Sequence, residues 1–285
     1  MVADIRWSEV DECLRGAFRK VESAKTINRE IQQRIADASD AHSFIMRYVP
    51  SSDYQHHEWH LTYINEIDVD LPILIGDALY DYRSALDHVA WELTAFGGET
   101  PTTRTFFPVR LQQTSKREQL STIDSVSNSD IIALVERHQP YNGAGYMEPL
   151  QILHTLNNHD KHRSLLVTVR AVNEATIATP TAVILENSFA WAGHLDSEGL
   201  IMACNTSEAI DLSGAGDVTL DVFLDTNLEE LTRGDSVPQS GLIRLSLLHT
   251  LESIDAEVHV GVLLEANDLI QRHHRHGPNG DKYIL

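Results

Sequence analysis

The sequence contains only two cysteines, Cys13 and Cys204, which lie far apart in a chain of 285 residues. This spacing excludes a zinc site built from cysteine pairs and makes a reducing compartment the expected environment. No apolar run approaches the ~20 residues that a membrane-spanning helix needs. The first residues are acidic and lack the apolar stretch of a secretion signal. We therefore expect a cytoplasmic protein with no membrane partner.

Basic residues are also scarce. Lys and Arg total 22 against 42 Asp and Glu, which gives a formal net charge of -20. This excess argues against broad, non-specific binding of nucleic acid, although it leaves room for a local basic cleft. The glycine-rich patterns of dinucleotide and phosphate loops and the serine-hydrolase elbow are missing from the sequence. With 42% hydrophobic residues, the chain can bury a real core in one large domain or two.

The stretch 71–96 is the clearest predicted helix. Pro72 stands near its start and Gly97-Gly98 follow its end, as expected at helix boundaries. At 100° per residue one broad side is apolar, and it holds Ile75, Ala78, Leu79, Tyr82, Leu86, Val89 and Leu93. The opposite side holds Asp77, Asp81, Ser84 and His88, with Arg83 and Asp87 on the flank. These are residue types that transfer protons, bind metals or contact phosphate.

Hydrophobic periodicity predicts an α+β fold: a bundle of about four long helices, an inserted hairpin and an appended antiparallel β-meander. Helices are predicted at 8–38, 71–96, 131–138, 146–162 and 245–274, with a short one at 116–120. Strands are predicted at 42–49 and 58–67 for the hairpin, and at 165–172, 182–185, 200–204 and 218–224 for the meander. The predicted domains are the bundle with its hairpin at 1–163, the meander at 164–240, and a C-terminal helix at 241–285 that rejoins the bundle.

The segment Arg83-Ser84-Ala85-Leu86-Asp87-His88 is the strongest chemical motif. A histidine can move protons near neutral pH, and the planar fork of an arginine suits a phosphate. A simpler interpretation stands beside this one: Arg83 and Asp87 are four apart and form an ordinary helical ion pair, while His88 bonds back to Ser84. Residues five apart also point about 140° away from each other on a regular helix. Both could serve one cleft only if the cleft wraps around the helix or the helix bends.

This segment resembles the RxxxxH motif of the HEPN superfamily, whose ribonucleases include toxins and nucleases of phage defence. The wider stretch GDALYDYRSALDHVAWEL, followed by FFP and later NNHDKHR, is similar to a widespread set of uncharacterised bacterial proteins. The resemblance covers the helical bundle, about half of the chain, and leaves out the β-meander. It implies an HEPN-like helical bundle.

The resemblance further implies a metal-independent endoribonuclease that needs no cofactor and cleaves RNA by attack of a 2′-hydroxyl on the adjacent phosphate. Arg83 and His88 would be the catalytic pair, with Ser84 as the polar second position of the motif. A homodimer is implied because two motifs usually meet across its interface, and a toxin would have an antitoxin or another partner protein. The alternative function is a non-catalytic HEPN-like interaction or scaffold module, which the charge of -20 favours.

A second cluster lies in NNHDKHR. Asn158, Lys161, His162 and Arg163 could bind the substrate phosphates and supply positive charge to an acidic protein. The same basic residues at the end of a helix also complement the helix dipole, which needs no ligand.

A metal-dependent hydrolase is a third hypothesis. Asp77, Asp81 and His88 on one helix, with His154 or His162 from another, could hold Zn²⁺, Mn²⁺ or Fe²⁺ inside a bundle. No HExxH pattern, paired ExxH pattern or calcium loop supports this hypothesis.

Overall fold

The computed structural model describes residues 6–40, 44–63, 70–113, 122–123, 127–143, 148–162, 166–177, 184–189, 199–213, 216–227 and 242–276. The helices are α1 (Arg15–Asp40), α2 (Leu71–Phe96), α3 (Ser129–Arg137), α4 (Pro149–His162), α5 (Leu247–Asp255), a π-helical segment (Ala256–Leu263) and α6 (Leu264–His276). The strands are β1 (Phe44–Pro50), β2 (His56–Tyr63), β3 (Leu166–Ile177), β4 (Ile184–Phe189), β5 (Gly199–Thr206), β6 (Gly216–Asn227) and β7 (Leu242–Ser246). The mixture of helix and sheet confirms the α+β class. The predicted helix at 116–120 lies outside the described residues.

Helix α2 has the predicted boundaries. Pro72 lies in its first turn, and the chain leaves it through Gly97 and Gly98. Gly98 has φ of 87°, a left-handed conformation that glycine adopts without steric cost. All seven residues of the predicted apolar side are buried. The periodicity therefore identified the core face of this helix correctly.

Helix α1 begins later than the sequence predicts. The N–H of Asp11 binds the side-chain oxygen of Asn267, and the N–H of Cys13 binds the carboxylate of Asp11. These contacts hold residues 11–14 as turns before the helix starts at Arg15. From there Ala17, Phe18, Val21, Ala24 and Ile31 are buried against α2 and the C-terminal helices.

No helix of the described residues is long and apolar enough to cross a membrane.

The predicted pairing of the hairpin is confirmed, because β1 and β2 are antiparallel neighbours, but the strands of the predicted meander pair differently. One sheet has the order β1-β2-β5-β4, and a second has the order β3-β6-β7, with antiparallel pairing throughout. The hairpin therefore is not a separate excursion, because β5 pairs with β2. The predicted meander is wrong, since its four strands divide between two sheets. Strand β7 was missed because its five residues precede α5 without a break and continue the apolar pattern of that helix.

The C-terminal helices contain a change of helical geometry. Residues 256–263 are π-helical, and the N–H of Leu264 bonds to the carbonyl of His259, five residues earlier. A π-helical segment widens the helix locally, and such segments often occur at functional sites. Here it follows directly on Asp255, which is buried.

Candidate functional site

The guanidinium of Arg83 is bound by neighbouring protein groups. Its Nη2 donates to Asp87 Oδ1 and to the carbonyl of Phe107, both at 2.7 Å. The ring of Phe106 lies 6.0 Å from the guanidinium carbon, and only 12% of the side chain is exposed. The predicted ion pair with Asp87 is confirmed. Instead of lying on the surface, it fastens residues 106–107 to α2.

The same segment is held at two further points. Asp87 accepts a hydrogen bond from the N–H of Phe107 at 3.1 Å, so this carboxylate serves both Arg83 and the backbone. The buried amide of Gln139 donates to the carbonyl of Pro108 and accepts from the N–H of Arg110. Arg83 and Asp87 are therefore part of an anchor for residues 106–110, which we call the FFP anchor.

His88 lies on the other flank of α2. Its ring packs over Gly16 of α1, since a Cβ at Gly16 would lie 3.4 Å from the imidazole Nδ1. His88 is solvent-exposed. Burial raises the pKa of the neighbouring Glu92 carboxyl, and His88 opposes that rise. Arg83 and His88 thus contact different parts of the protein, as their helical spacing indicated. Among the described residues, Arg83 is in contact with Asp87 and residues 106–107, and His88 is near Gly16 and Glu92.

The other predicted substrate-binding residues are only partly described. Ser84 is half-buried on α2, and the amide of Asn158 lies 3.1 Å from His154 Nε2 on α4. Lys161 and His162 belong to the end of α4, but their side chains fall outside the described residues, as does the whole of Arg163. Their role in binding phosphate stays a prediction.

The metal hypothesis fails among the described residues, where no three His, Cys, Asp or Glu side chains gather to hold an ion. Asp81 is buried and accepts a hydrogen bond at 2.7 Å from Lys20, so the prediction that it faces outward was wrong. Asp77 faces Asp160, and His154 faces Asn158. The four proposed ligands whose side chains are described therefore have different neighbours and do not gather at one point.

Sequence reasoning missed a row of large apolar side chains on the solvent side of α2. Ile73, Tyr80 and Trp91 are 61%, 55% and 43% exposed. Their spacings of 7 and 11 residues put them within about 20° of one direction on the helix. Ser84 lies on the same line, so we call Ile73, Tyr80, Ser84 and Trp91 the outer face of α2. Arg83 and His88 lie on its two flanks. The signal was present in the sequence, because a solvated face seldom repeats large apolar residues in register.

A polar cavity of about 500 Å³ separates α1 from α5. Lys25 and Asp255 line this cavity, and Lys25 Nζ lies 2.8 Å from His259 Nδ1 and 3.8 Å from Asp255 Oδ2. The hydroxyl of Tyr82 donates to Asp255 Oδ1 at 3.1 Å and accepts from the amide of Asn28 at 2.8 Å. Five polar side chains from α1, α2, α5 and the π-helical segment are therefore linked in one network beside the cavity.

Burial and nearby charge set the protonation states of His259 and Asp255. Burial, with the nearby charge of Lys25, lowers the pKa of His259 to about 4. Burial also raises the pKa of Asp255, and Lys25 opposes that rise. His259 is thus a neutral acceptor for the ammonium of Lys25 at neutral pH.

No family model, curated protein or solved structure matches this chain. The geometry of its sites is therefore the basis for any function.

The sequence contains a signal for the polar groups beside the cavity. Asp255 and His259 are four residues apart, and they interrupt a stripe of apolar residues formed by Leu251, Ile254, Val258 and Val262. Buried polar groups inside such a stripe require partners from another element.

Proposed function

We propose that this chain is an HEPN-like interaction module that forms a homodimer through the outer face of α2. The observation that carries this proposal is the exposed row of Ile73, Tyr80 and Trp91 on a helix that is otherwise central to the core. Aromatic side chains dominate the buried centres of protein interfaces, and an aligned apolar row on one helix is a surface that a second helix can cover.

The FFP anchor supports a structural role for the motif. Arg83 has strong partners in Asp87 and in the Phe107 carbonyl, and it is mostly buried. Arg83 could turn its Nη2 toward a substrate phosphate only by giving up these charge-assisted bonds, each of which is worth about 1.5–3 kcal/mol, and this leaves Nη1 alone for a ligand. A non-catalytic module requires no such rearrangement.

The outer face suits a second copy because its flanks carry both signs of charge. Asp77 and His88 lie on one side of the row, and Asp87 and Arg83 lie on the other. A two-fold dimer brings the same patch from both subunits together, so an interface with both charges on each copy can be self-complementary. A cytoplasmic partner protein on the same face is the competing outcome.

The oligomeric state tests the proposal. Light scattering on the purified chain should give the mass of a dimer, and Tyr80→Ser with Trp91→Ser should give the mass of a monomer with unchanged helicity. Val260→Ser is the matched control, because Val260 is 46% exposed in the π-helical segment and does not belong to the outer face of α2. A wild-type monomer at high micromolar concentration, or dimers that survive the double substitution, would contradict the proposal.

An endoribonuclease is the second candidate. One observation favours it: the buried Nη1 of Arg83 has no hydrogen-bond partner among the described residues, while His88 is open to solvent. A dimer through the outer face would place both flanks of α2 beside the dimer interface. The segments from Arg83 to His88 of the two subunits could then complete a catalytic site together.

Ribonuclease assays in EDTA separate the two candidates. Cleavage of RNA that survives chelation and is lost in His88→Ala would establish the nuclease, since His88→Ala removes no contact of the FFP anchor. Varied RNAs left intact by the wild-type dimer would favour the interaction module. Activity that depends on a metal would count against both.

A further inference from the structure

His138 follows the last residue of α3 and lies in a notch of the C-terminal helices. Its Nδ1 is 2.8 Å from Glu257 Oε1, and its Nε2 is 3.3 Å from Glu265 Oε2. Gly261 leaves room for the ring between these two carboxylates, because a Cβ there would lie 3.2 Å from the imidazole Cε1. Only 9% of the His138 side chain is exposed. We call His138, Glu257, Gly261 and Glu265 the His138 clamp.

The clamp is complete only when the imidazole is protonated. The charged groups beside His138 are Glu257 from the π-helical segment, Glu265 from α6, and Arg137 from α3, which also binds Glu265. The contact between Nε2 and Glu265 is a charge contact, because it does not have the alignment of a hydrogen bond. A neutral ring that donates from Nδ1 to Glu257 has a lone pair on Nε2, so it loses its attraction to Glu265.

The surroundings of His138 determine the pH range in which it is charged. Burial disfavours the imidazolium, but Glu257 and then Glu265 outweigh burial and raise the pKa of His138 above its ordinary value of 6.5. The folded chain therefore keeps this proton to a higher pH than the unfolded chain. The clamp stabilises the fold fully below pH 6.5, and this stabilisation is lost as the pH rises through the folded pKa.

Gln139, the next residue, joins the clamp to the FFP anchor. Its buried amide donates to the carbonyl of Pro108 and accepts from the N–H of Arg110, both at 2.9 Å. The same amide donates to the carbonyl of Val135 at 2.9 Å, so it is fixed to the end of the helix that His138 holds. A movement of this helix end therefore displaces the acceptor of the Arg110 N–H.

From these contacts we propose that His138 is a pH sensor that controls how tightly residues 106–110 are held. When the ring is protonated, the end of α3 is fixed against the π-helical segment and α6, and the FFP anchor is closed. When the ring is neutral, the contact with Glu265 is lost, the end of α3 loosens, and the bonds from Gln139 to residues 108–110 open. Arg83 binds the same segment at Phe107, so the opening reaches a partner of Arg83. The sensor acts within one chain, whether or not the outer face of α2 forms a dimer.

NMR spectroscopy of the full chain from about pH 6 to pH 9 tests this proposal. The Hε1 resonance of His138 reports its protonation, and amide exchange reports the protection of the Arg110 N–H after correction for the intrinsic effect of pH. We expect His138 to lose its proton above pH 6.5. The Arg110 protection factor should fall at least about tenfold with the same midpoint, because its hydrogen bond to Gln139 opens.

Three substitutions separate this sensor from a general effect of pH. His138→Gln cannot titrate but keeps a donor for Glu257, so the Arg110 protection factor should stay constant within about twofold. Glu257→Gln removes the nearer carboxylate charge, so the His138 pKa and the exchange midpoint should fall together. His56→Gln is the matched control, because hydrogen bonds to Asn205 and Glu58 raise the pKa of this histidine on β2. It should leave the exchange profile of the wild type unchanged.

Several results would overturn the proposal. One is a His138 that loses its proton at or below pH 6.5, and another is an Arg110 protection factor that does not change while His138 titrates. A third is a pH-dependent fall in His138→Gln that equals the fall in the wild type. Circular dichroism shows whether His138→Gln folds. If it does not, Glu257→Gln decides, because an exchange midpoint that stays in place while the His138 pKa falls would disprove the coupling.

Discussion

At the scale of single residues, Arg83 and Asp87 are expected to act together in stability. Arg83→Ala and Asp87→Ala each remove bonds to residues 106–107, and each should lower the free energy of unfolding by about 1–3 kcal/mol. The double variant should lose less than the sum, because both side chains hold the same segment. Urea unfolding of the four proteins measures this coupling.

His88→Ala is the control for that cycle. His88 is exposed and takes no part in the FFP anchor, so its removal should change stability by less than about 0.5 kcal/mol. Strictly additive losses at Arg83 and Asp87 would show that they do not form one unit. A large loss at His88 would show that its packing on Gly16 contributes to the fold.

A second residue, His259, should make stability depend on pH. The unfolded chain takes up a proton at the ordinary histidine pKa of 6.5, but the folded chain takes it up only at about 4. The unfolded state therefore binds more protons in this window. Stability from His259 is complete above pH 6.5 and is lost as the pH falls toward 4, by about 2–3 kcal/mol.

Comparison with His259→Gln isolates this effect, because glutamine keeps an acceptor for Lys25 and cannot titrate. Urea unfolding at pH 7 and at pH 4.5 gives the pH-dependent loss for each protein. The wild type should lose more stability than the variant between the two pH values. Equal losses would show that groups other than His259 account for the whole effect, and Asp255 is not among them, because burial raises its pKa and so makes its contribution more favourable at low pH.

At the scale of elements, the contact between α2 and α4 depends on the absence of a side chain at Gly76. A Cβ at this position would lie 2.5 to 2.7 Å from the carboxylate of Asp160. Helix propensity alone predicts that Gly76→Ala stabilises α2 by about 1 kcal/mol. We expect the clash to prevail and the substitution to destabilise the protein by about 1–2 kcal/mol.

The sign of this effect should reverse when Asp160 is absent. In an Asp160→Ala background the added methyl group meets no carboxylate, so Gly76→Ala should become neutral or stabilising. Thermal unfolding of the two single variants and the double variant measures the reversal. Destabilisation of equal size in both backgrounds would mean that the helices are separated by something other than Asp160.

At the scale of the whole molecule, charge should govern association. Each copy carries a formal charge of -20, so two copies repel each other at low ionic strength. Raising NaCl from about 50 to 500 mM should tighten the proposed dimer several-fold, because the screening length shrinks to a few ångströms. Sedimentation equilibrium at both salt concentrations measures the dissociation constant.

The same salt series distinguishes a protein partner from RNA. Binding to RNA weakens with salt because counterions are released from the phosphates. A complex with RNA that loses affinity steeply over this range would support the nuclease candidate. A dimer that weakens with salt would mean that charge pairs, and not the apolar row, hold the two copies together.

The helices could be predicted because their evidence is local. The apolar period of α2, together with Pro72 and the two following glycines, fixed both its boundaries and its core face. The Arg83–Asp87 ion pair followed from a spacing of four residues. The second hydrogen bond of Arg83, to the Phe107 carbonyl, could not be predicted, because that carbonyl belongs to a segment 24 residues later.

The sequence alone determined where most of the helices and strands lie, since periodicity and turn residues act over a few positions, although it missed β7 and the late start of α1. Only the tertiary structure decided how the strands pair. The apolar pattern of a strand shows which face is buried, but it does not show which strand lies next to it. It also decided the polar cavity, where Lys25 and Asn28 meet Asp255 and His259 from more than 200 positions away. Such buried groups are placed by the packing of distant helices, and their function is expressed only after the chain has folded.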